Sequence, residues 1–146
     1  MKVCFDANVV IDIATRDNWF LNSYASYDVS AMRKFDACIS ASSLSDIVYV
    51  LHRRGLTRSQ AVNSVPLLLE MFDVFDVSRT DCEQAIATDM SDFEDALLAC
   101  AACRNGVDLI VTRNTKDFAN SPVKAIEPEE FVREFKFDNV TYDIVG

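Results

Sequence analysis

At 146 residues, the chain is long enough to bury one hydrophobic core and is expected to form a single domain over residues 1–146. Half of it is apolar, but no run approaches the roughly 18 apolar residues of a membrane helix, so a membrane span is excluded. The formal charge of −9 argues against bulk attraction to nucleic acid, although His52, Arg53, Arg54 and Arg58 form a local basic cluster that can still hold phosphates.

Lys2 to Phe5 reads as a first strand, and Val9 to about Ala14 begins the first helix. Residues 16–35 mix Trp19, Phe20, Tyr24 and Tyr27 with Asp, Asn and Ser, and are expected to be irregular before ending in a helix. Ala37 to Ser40 is the second strand. Ser43-Leu44-Ser45-Asp46 has the form of a capping box, opening a helix through Arg54 that Gly55 stops. A second box, Thr57 to Gln60, opens a helix to about Met71. Phe72 to Val77 is a strand, and Ser78 caps a helix from Arg79 to roughly Thr88. A third box, Ser91 to Glu94, opens a helix ending at Asn105, with Gly106 just past its end. Leu109 to Thr112 and Val123 to Ile126 are strands, and Pro128 sits in the first turn of a last helix. Residues 137–146 are an edge strand or a tail. Strands separated by helices predict a three-layer α/β/α sandwich around a mainly parallel sheet.

Five cysteines (Cys4, Cys38, Cys82, Cys100 and Cys103) stand in mostly apolar contexts, and the N-terminus has no long apolar signal region. Both features point to buried free thiols in a reducing cytoplasm. Cys100 and Cys103 lie inside the apolar run Ala96 to Cys103, where core packing rather than redox or zinc chemistry is expected.

Asp6 follows the first strand directly, and the arrangement recurs. A strand candidate gives way to an acid near a helix start at Asp46, at Asp95 and, through Arg113-Asn114, at Asp117. Open parallel sheets bind ligands beyond the carboxyl ends of their strands, so these acids can converge there. Converging like charges are costly unless a cation sits among them, which predicts a divalent-metal site. Asp6 is also explicable as a helix cap, and Asp46 occupies the third position of its box, where capping and chemistry both fit. Asp95 opens a helix that is apolar on every face, so its charge needs a partner or a ligand. Asp92 and Glu94 read as ordinary first-turn acids and Asp12 as a solvated one. Arg113, after a buried strand, can hold a phosphate, whereas Arg53 and Arg54 suit a helix C-terminus in any case. The single histidine, His52, excludes a metal-free imidazole acid–base nuclease and leaves serine and cysteine triads without support. There is no P-loop and no GxGxxG.

The segment Phe5-Asp6-Ala7-Asn8-Val9-Val10-Ile11-Asp12 resembles the opening of PIN-domain ribonucleases, particularly VapC-type toxins of toxin–antitoxin modules. The resemblance continues through Ile39-Ser40 and Leu44 to Tyr49, and is most specific at Asp92-Phe93-Glu94-Asp95-Ala96-Leu97 and Val111 to Phe118. It covers Lys2 to about Pro128 in the family's order. It implies a PIN-like sandwich with Asp6, Asp46 and Asp95 as the first three site acids, Asp46 standing where the family often has glutamate. The fourth position is Asn114 or Asp117, with Asp117 favoured as the charged one. It further implies Mg2+ or Mn2+, an RNA substrate, homodimers, and a cognate antitoxin that blocks the site. On that reading Asp6 and Asp95 are the principal metal ligands, Asp46 orients the water or completes the shell, and Asp117 closes the site. Asn8, Arg113 and Asn114 meet the substrate, and a metal-activated water attacks the phosphodiester. A haloacid-dehalogenase-like phosphatase is the main alternative, but it wants a second Asp where Asn8 stands. A receiver domain wants a phospho-acceptor Asp where Ser78 stands. A non-catalytic PIN-like binding module is compatible with the departure at Asp46.

Overall fold

A computed structural model of the chain describes residues 1–144. Five strands, β1 (Lys2–Phe5), β2 (Asp36–Ser40), β3 (Asp73–Phe75), β4 (Leu109–Val111) and β5 (Lys124–Ile126), form one sheet in the order β3-β2-β1-β4-β5. Every pairing is parallel. Around the sheet lie α1 (Ala7–Thr15), α2 (Phe20–Met32), α3 (Ala41–Arg53), α4 (Arg58–Asn63), α5 (Val65–Met71), α6 (Arg79–Ala87), α7 (Phe93–Arg104) and α8 (Pro128–Phe135), with a 3-10 turn at Thr115–Phe118. No helix among the described residues is long and apolar enough to cross a membrane.

The two-residue period of a strand sends alternate side chains to opposite faces of the sheet. Val3, Phe5, Ile39 and Val111 enter one core with Val9, Val10, Ile47 and Phe131. Cys4, Cys38 and Ile110 enter another with Leu98, Ala99, Ala102 and Phe118. Because strands buried on both faces carry no polar alternation, they read as short continuous apolar runs. The expected α/β/α sandwich is observed. In the first core, Phe5, Tyr27 and Phe72 form a ring cluster with centroids 5.2–6.1 Å apart. Each such ring contributes roughly 1.5–3 kcal/mol by burial.

The register aligns the strand ends. Phe5 pairs with Val111 and Val111 with Ile126, while Cys4 pairs with Cys38, so the residues following β1, β2 and β4 emerge along one edge.

Several elements depart from expectation. Helix α2 occupies most of the stretch expected to be irregular. Its buried face carries Asn22, Ser23, Ala25, Ser26 and Ser30, so no apolar period marks it in the sequence. Two of these polar side chains find partners at close range, Ser26 Oγ donating to Ser23 O at 2.7 Å and Ser23 Oγ to Asp12 Oδ2 at 2.8 Å, while the buried Ser30 Oγ has no partner among the described residues. Helix α3 begins before the expected box: its N-cap is Ser40, whose Oγ accepts the Ser43 N–H at 3.0 Å. Asp46 therefore lies in the second turn and caps nothing. The Thr57–Gln60 box is present, but its helix breaks at Ser64 between α4 and α5, where Pro66 lacks the amide needed to continue it. The cap of α7 is Asp92 rather than Ser91, its Oδ1 accepting the Asp95 N–H at 2.9 Å. Gly106, at φ 73°, follows in the left-handed conformation that favours glycine.

Residues 137–144 contain no strand and run as a tail, with Tyr142 Oη donating to Asp28 at 2.6 Å; the last part of the expected tail, 145–146, lies outside the described residues. Cys4, Cys38 and Cys100 are buried free thiols, but Cys103 is exposed, because positions three apart on α7 do not both reach the core here.

Candidate functional site

Asp6 is where β1 hands over to α1. Its N–H extends the ladder to Val111 O at 2.9 Å, and its extended backbone (φ −67°, ψ 153°) makes it the cap of α1. Asp6 Oδ1 accepts the Ala7 N–H at 2.8 Å. Asp6 Oδ2 accepts the Thr112 hydroxyl at 2.8 Å and the Asn8 amide at 3.4 Å. Thr112, fully buried after β4, accepts the Asn114 N–H at 3.1 Å, and Asn8 Oδ1 accepts the Arg113 N–H at 3.3 Å. The capping role and the oriented carboxylate therefore coexist in one residue. Burial pushes the Asp6 carboxyl above its ordinary range; the bonds from Thr112 and Ala7 and the charge of Arg113 oppose this, while the charge of Asp46 adds to it.

Around Asp6 the other acids gather from separate elements. Asp95, in the first turn of α7, is pushed up to about 6, first by burial and then by the charges of Asp6, Asp92 and Asp117. Glu94 is pushed up to about 7, first by its side-chain hydrogen bond with Asp46, then by burial and by the charges of Asp46, Asp92 and Asp95. Asp6 feels the charge of Asp46, and Asp95 those of Asp6 and Asp117, so the four acids form one electrostatic neighbourhood. Glu94 belongs to it as well, against the expectation of an ordinary first-turn acid. Asp117 lies exposed in the 3-10 turn, its N–H bonded to Asn114 O at 3.0 Å, and Asn114 is exposed beside it.

Among the described residues, no three acids, cysteines or histidines form a ready-made metal cage. Mg2+ needs no such cage, since it keeps several waters and commonly takes only one or two protein carboxylates. The all-oxygen donor set and the mutual repulsion that raises Asp95 and Glu94 fit a hard divalent cation.

Asp12 and Arg113 change character in the structure. Asp12, expected to be solvated, is completely buried, because helical spacing from Val9 turns it inward. Arg113 grips it with two bonds, Nε to Oδ2 at 2.8 Å and Nη2 to Oδ1 at 3.0 Å, and Ser23 Oγ donates to Oδ2 at 2.8 Å. The guanidinium expected to hold a phosphate is thus held by Asp12. The basic cluster lies further along α3, where Arg54 pairs with Asp17 at 3.3 Å and Arg53 stands over the Tyr49 ring. The sequence reading gives Thr112 no place beside Asp6 and takes Glu94 for an ordinary first-turn acid. Thr112 had a signal, a hydroxyl ending an apolar strand opposite Asp6; Glu94 had only its adjacency to Asp95.

An acid cluster at the carboxyl edge of a parallel sheet defines a class of protein, and residues 2–116 match the PIN domain family: the chain belongs to it. Solved structures share the fold. A toxin–antitoxin complex from Klebsiella pneumoniae contains a chain 20% identical, matched over 87% of this chain and 98% of that one with a TM-score of 0.63. VapBC2 from Rickettsia felis, bound to a DNA fragment from its promoter, gives 18% identity over 87% and 98% and a TM-score of 0.67. VapC20 of Mycobacterium tuberculosis, described as a toxin that cleaves the sarcin–ricin loop, gives 17% identity over 75% and 87% and a TM-score of 0.60. At these identities the likeness is one of fold. No curated protein matches the chain.

Proposed function

We propose that this PIN-domain protein is a Mg2+- or Mn2+-dependent endoribonuclease, the toxin of a toxin–antitoxin pair, acting in the cytoplasm as a homodimer and silenced by a cognate antitoxin. The observation that carries the reading is the Asp6 carboxylate, oriented by Thr112, Asn8 and the Ala7 amide among Asp46, Asp95 and Asp117. Membership of the PIN family supports it, as does the fold shared with a toxin described as cleaving the sarcin–ricin loop. The toxin–antitoxin complexes among the structural neighbours support the antitoxin. Family membership also displaces the haloacid-dehalogenase-like reading.

Asp6 and Asp95 are the residues to hold the cation. When bound, it supplies a water acidic enough to attack at neutral pH and offsets charge on the phosphodiester. Thr112 and Asn8 keep one Asp6 oxygen turned to a fixed direction, which limits the reorganisation needed at the moment of reaction. Glu94, raised to about 7 beside Asp46, can take up a proton near neutral pH, and Asp46 orients water. Asp117 and Asn114 line the exposed rim where substrate arrives.

Cleavage of single-stranded RNA with and without Mg2+ tests the proposal. Asp6→Asn or Asp95→Asn should abolish cleavage while circular dichroism shows an intact fold. Full activity in EDTA, or in either variant, overturns it and leaves a non-catalytic or metal-free protein.

A further inference from the structure

We infer that Trp19, together with the guanidinium of Arg113 and the Phe20–Tyr24 pair, forms a platform on which unpaired bases of single-stranded RNA stack beside the acid site. The inference rests on the ribonuclease reading and adds a substrate subsite to it.

Trp19 and Tyr24 are 40% and 45% exposed, a large aromatic surface left in water at the junction of α1 and α2. The Trp19 backbone N–H bonds to Asp17 Oδ1 at 3.1 Å, and Asp17 is tied in turn to Arg54 at 3.3 Å, which fixes the backbone that carries the ring. Phe20 and Tyr24, one turn apart on α2, stack with centroids 5.6 Å apart and planes at 25°.

Each aromatic group has a cation beside it. Arg113 lies 5.7 Å from the Trp19 ring, and Arg16 lies 5.3 Å from the Phe20 ring. Arg16 adopts a left-handed backbone, φ 54° and ψ 41°, which a side chain with a Cβ takes up only at a cost. Arg113 is held flat by its two bonds to the wholly buried Asp12. A buried carboxylate is an expensive support for a guanidinium that needed only charge; what it adds is a fixed plane.

The platform is continuous with the site. Trp19 meets Arg113, the Arg113 N–H bonds to Asn8, and the Asn8 amide bonds to Asp6. Two cations next to ring faces, that of the exposed Trp19 and that of the half-buried Phe20, in a chain of net charge −9, match a ligand that alternates flat rings with anions. Single-stranded RNA has that alternation at every nucleotide, whereas a duplex keeps its bases stacked on one another.

Trp19 is the only tryptophan in the chain, so intrinsic fluorescence reports on this position alone. The probes are a mixed-sequence single-stranded oligoribonucleotide and the same length of abasic ribose-phosphate, each titrated into the full-length Asp95→Asn protein with binding followed by anisotropy. The base-bearing strand should quench Trp19 emission and the abasic strand should not. In the otherwise unchanged enzyme, Trp19→Ala should raise KM for RNA by about 5-fold or more, and by more than kcat falls, and Trp19→Phe should recover most of the loss. RNA that binds without moving Trp19 emission, equal quenching by the abasic strand, or an unchanged KM in Trp19→Ala overturns the platform and leaves the aromatic face to a protein. If Trp19 responds to RNA but the wild-type protein cleaves none, the ribonuclease reading fails and the platform stands. If the wild-type protein cleaves RNA and Trp19→Ala is as efficient, only the platform fails.

Discussion

Two groups of acids in this molecule are treated in opposite ways. On α6, Asp81 is buried, yet Arg104 from α7 reaches it with two bonds of 2.9 Å and also binds Asp76 at 2.9 Å. The bonds from Arg104 hold both carboxyls below their ordinary range. At the carboxyl edge of the sheet, burial first and then the charges of neighbouring acids raise Asp95 to about 6, and a hydrogen bond with Asp46, burial and neighbouring acids raise Glu94 to about 7. The first group carries its counter-cation within the chain and fastens one helix to another. The second is short of positive charge where a ligand can supply it, and is the group the proposed function assigns to the site.

The largest expected effect separates the two groups by activity. Asp95→Asn should lower RNA cleavage by at least about 100-fold, a loss beyond that of residues acting behind a metal ligand, whereas Asp76→Asn should leave cleavage at the wild-type rate. Equal losses in both would erase the distinction. Next in size is stability. Arg104→Ala strands a buried Asp81 and should cost about 3 kcal/mol in urea unfolding, the low end for a broken buried pair because Arg104 is itself 36% exposed. A cost near zero would mean that Asp81 finds another partner.

A smaller loss, about 10- to 100-fold in kcat, is expected for Thr112→Val, which removes the hydroxyl that orients Asp6; Thr112→Ser should restore most of it. If serine fails to rescue, the methyl group and its packing matter more than the bond.

The mildest test is the pH dependence of stability without divalent cation. Asp95 and Glu94 bind protons more tightly folded than unfolded, so their contribution is full below about pH 4 and is lost as pH rises toward 6 to 7. Asp81 behaves oppositely, contributing above its unfolded value and losing that contribution on acidification. Thermal melts of metal-free protein should therefore decline from pH 5 to pH 8. Asp95→Asn should flatten that decline, and millimolar Mg2+ should reverse it in wild type but not in the variant.

Much of the frame was legible in the residues. The strand runs, the Thr57 and Ser78 caps and the positions of Asp6 and Asp95 were readable because each follows from spacing over a few residues. Helix α2 was not, since its inward face is built from serine, alanine and asparagine and lacks the apolar stripe that marks a surface helix. The start of α3 was misplaced for a related reason: Ser40 and Ser43 both suit a cap, and only the end of β2 decides between them.

The sequence alone determined that acids stand at the ends of buried strands, because hydrophobic periodicity and local punctuation are properties of neighbouring residues. Only the tertiary structure decided what those acids do to one another. Asp12 took Arg113 as its partner across 101 positions, Thr112 met Asp6 across 106, and Glu94 met Asp46 from a different helix. Such pairings depend on strand order and register, which bring distant segments to one edge, and no local pattern records them.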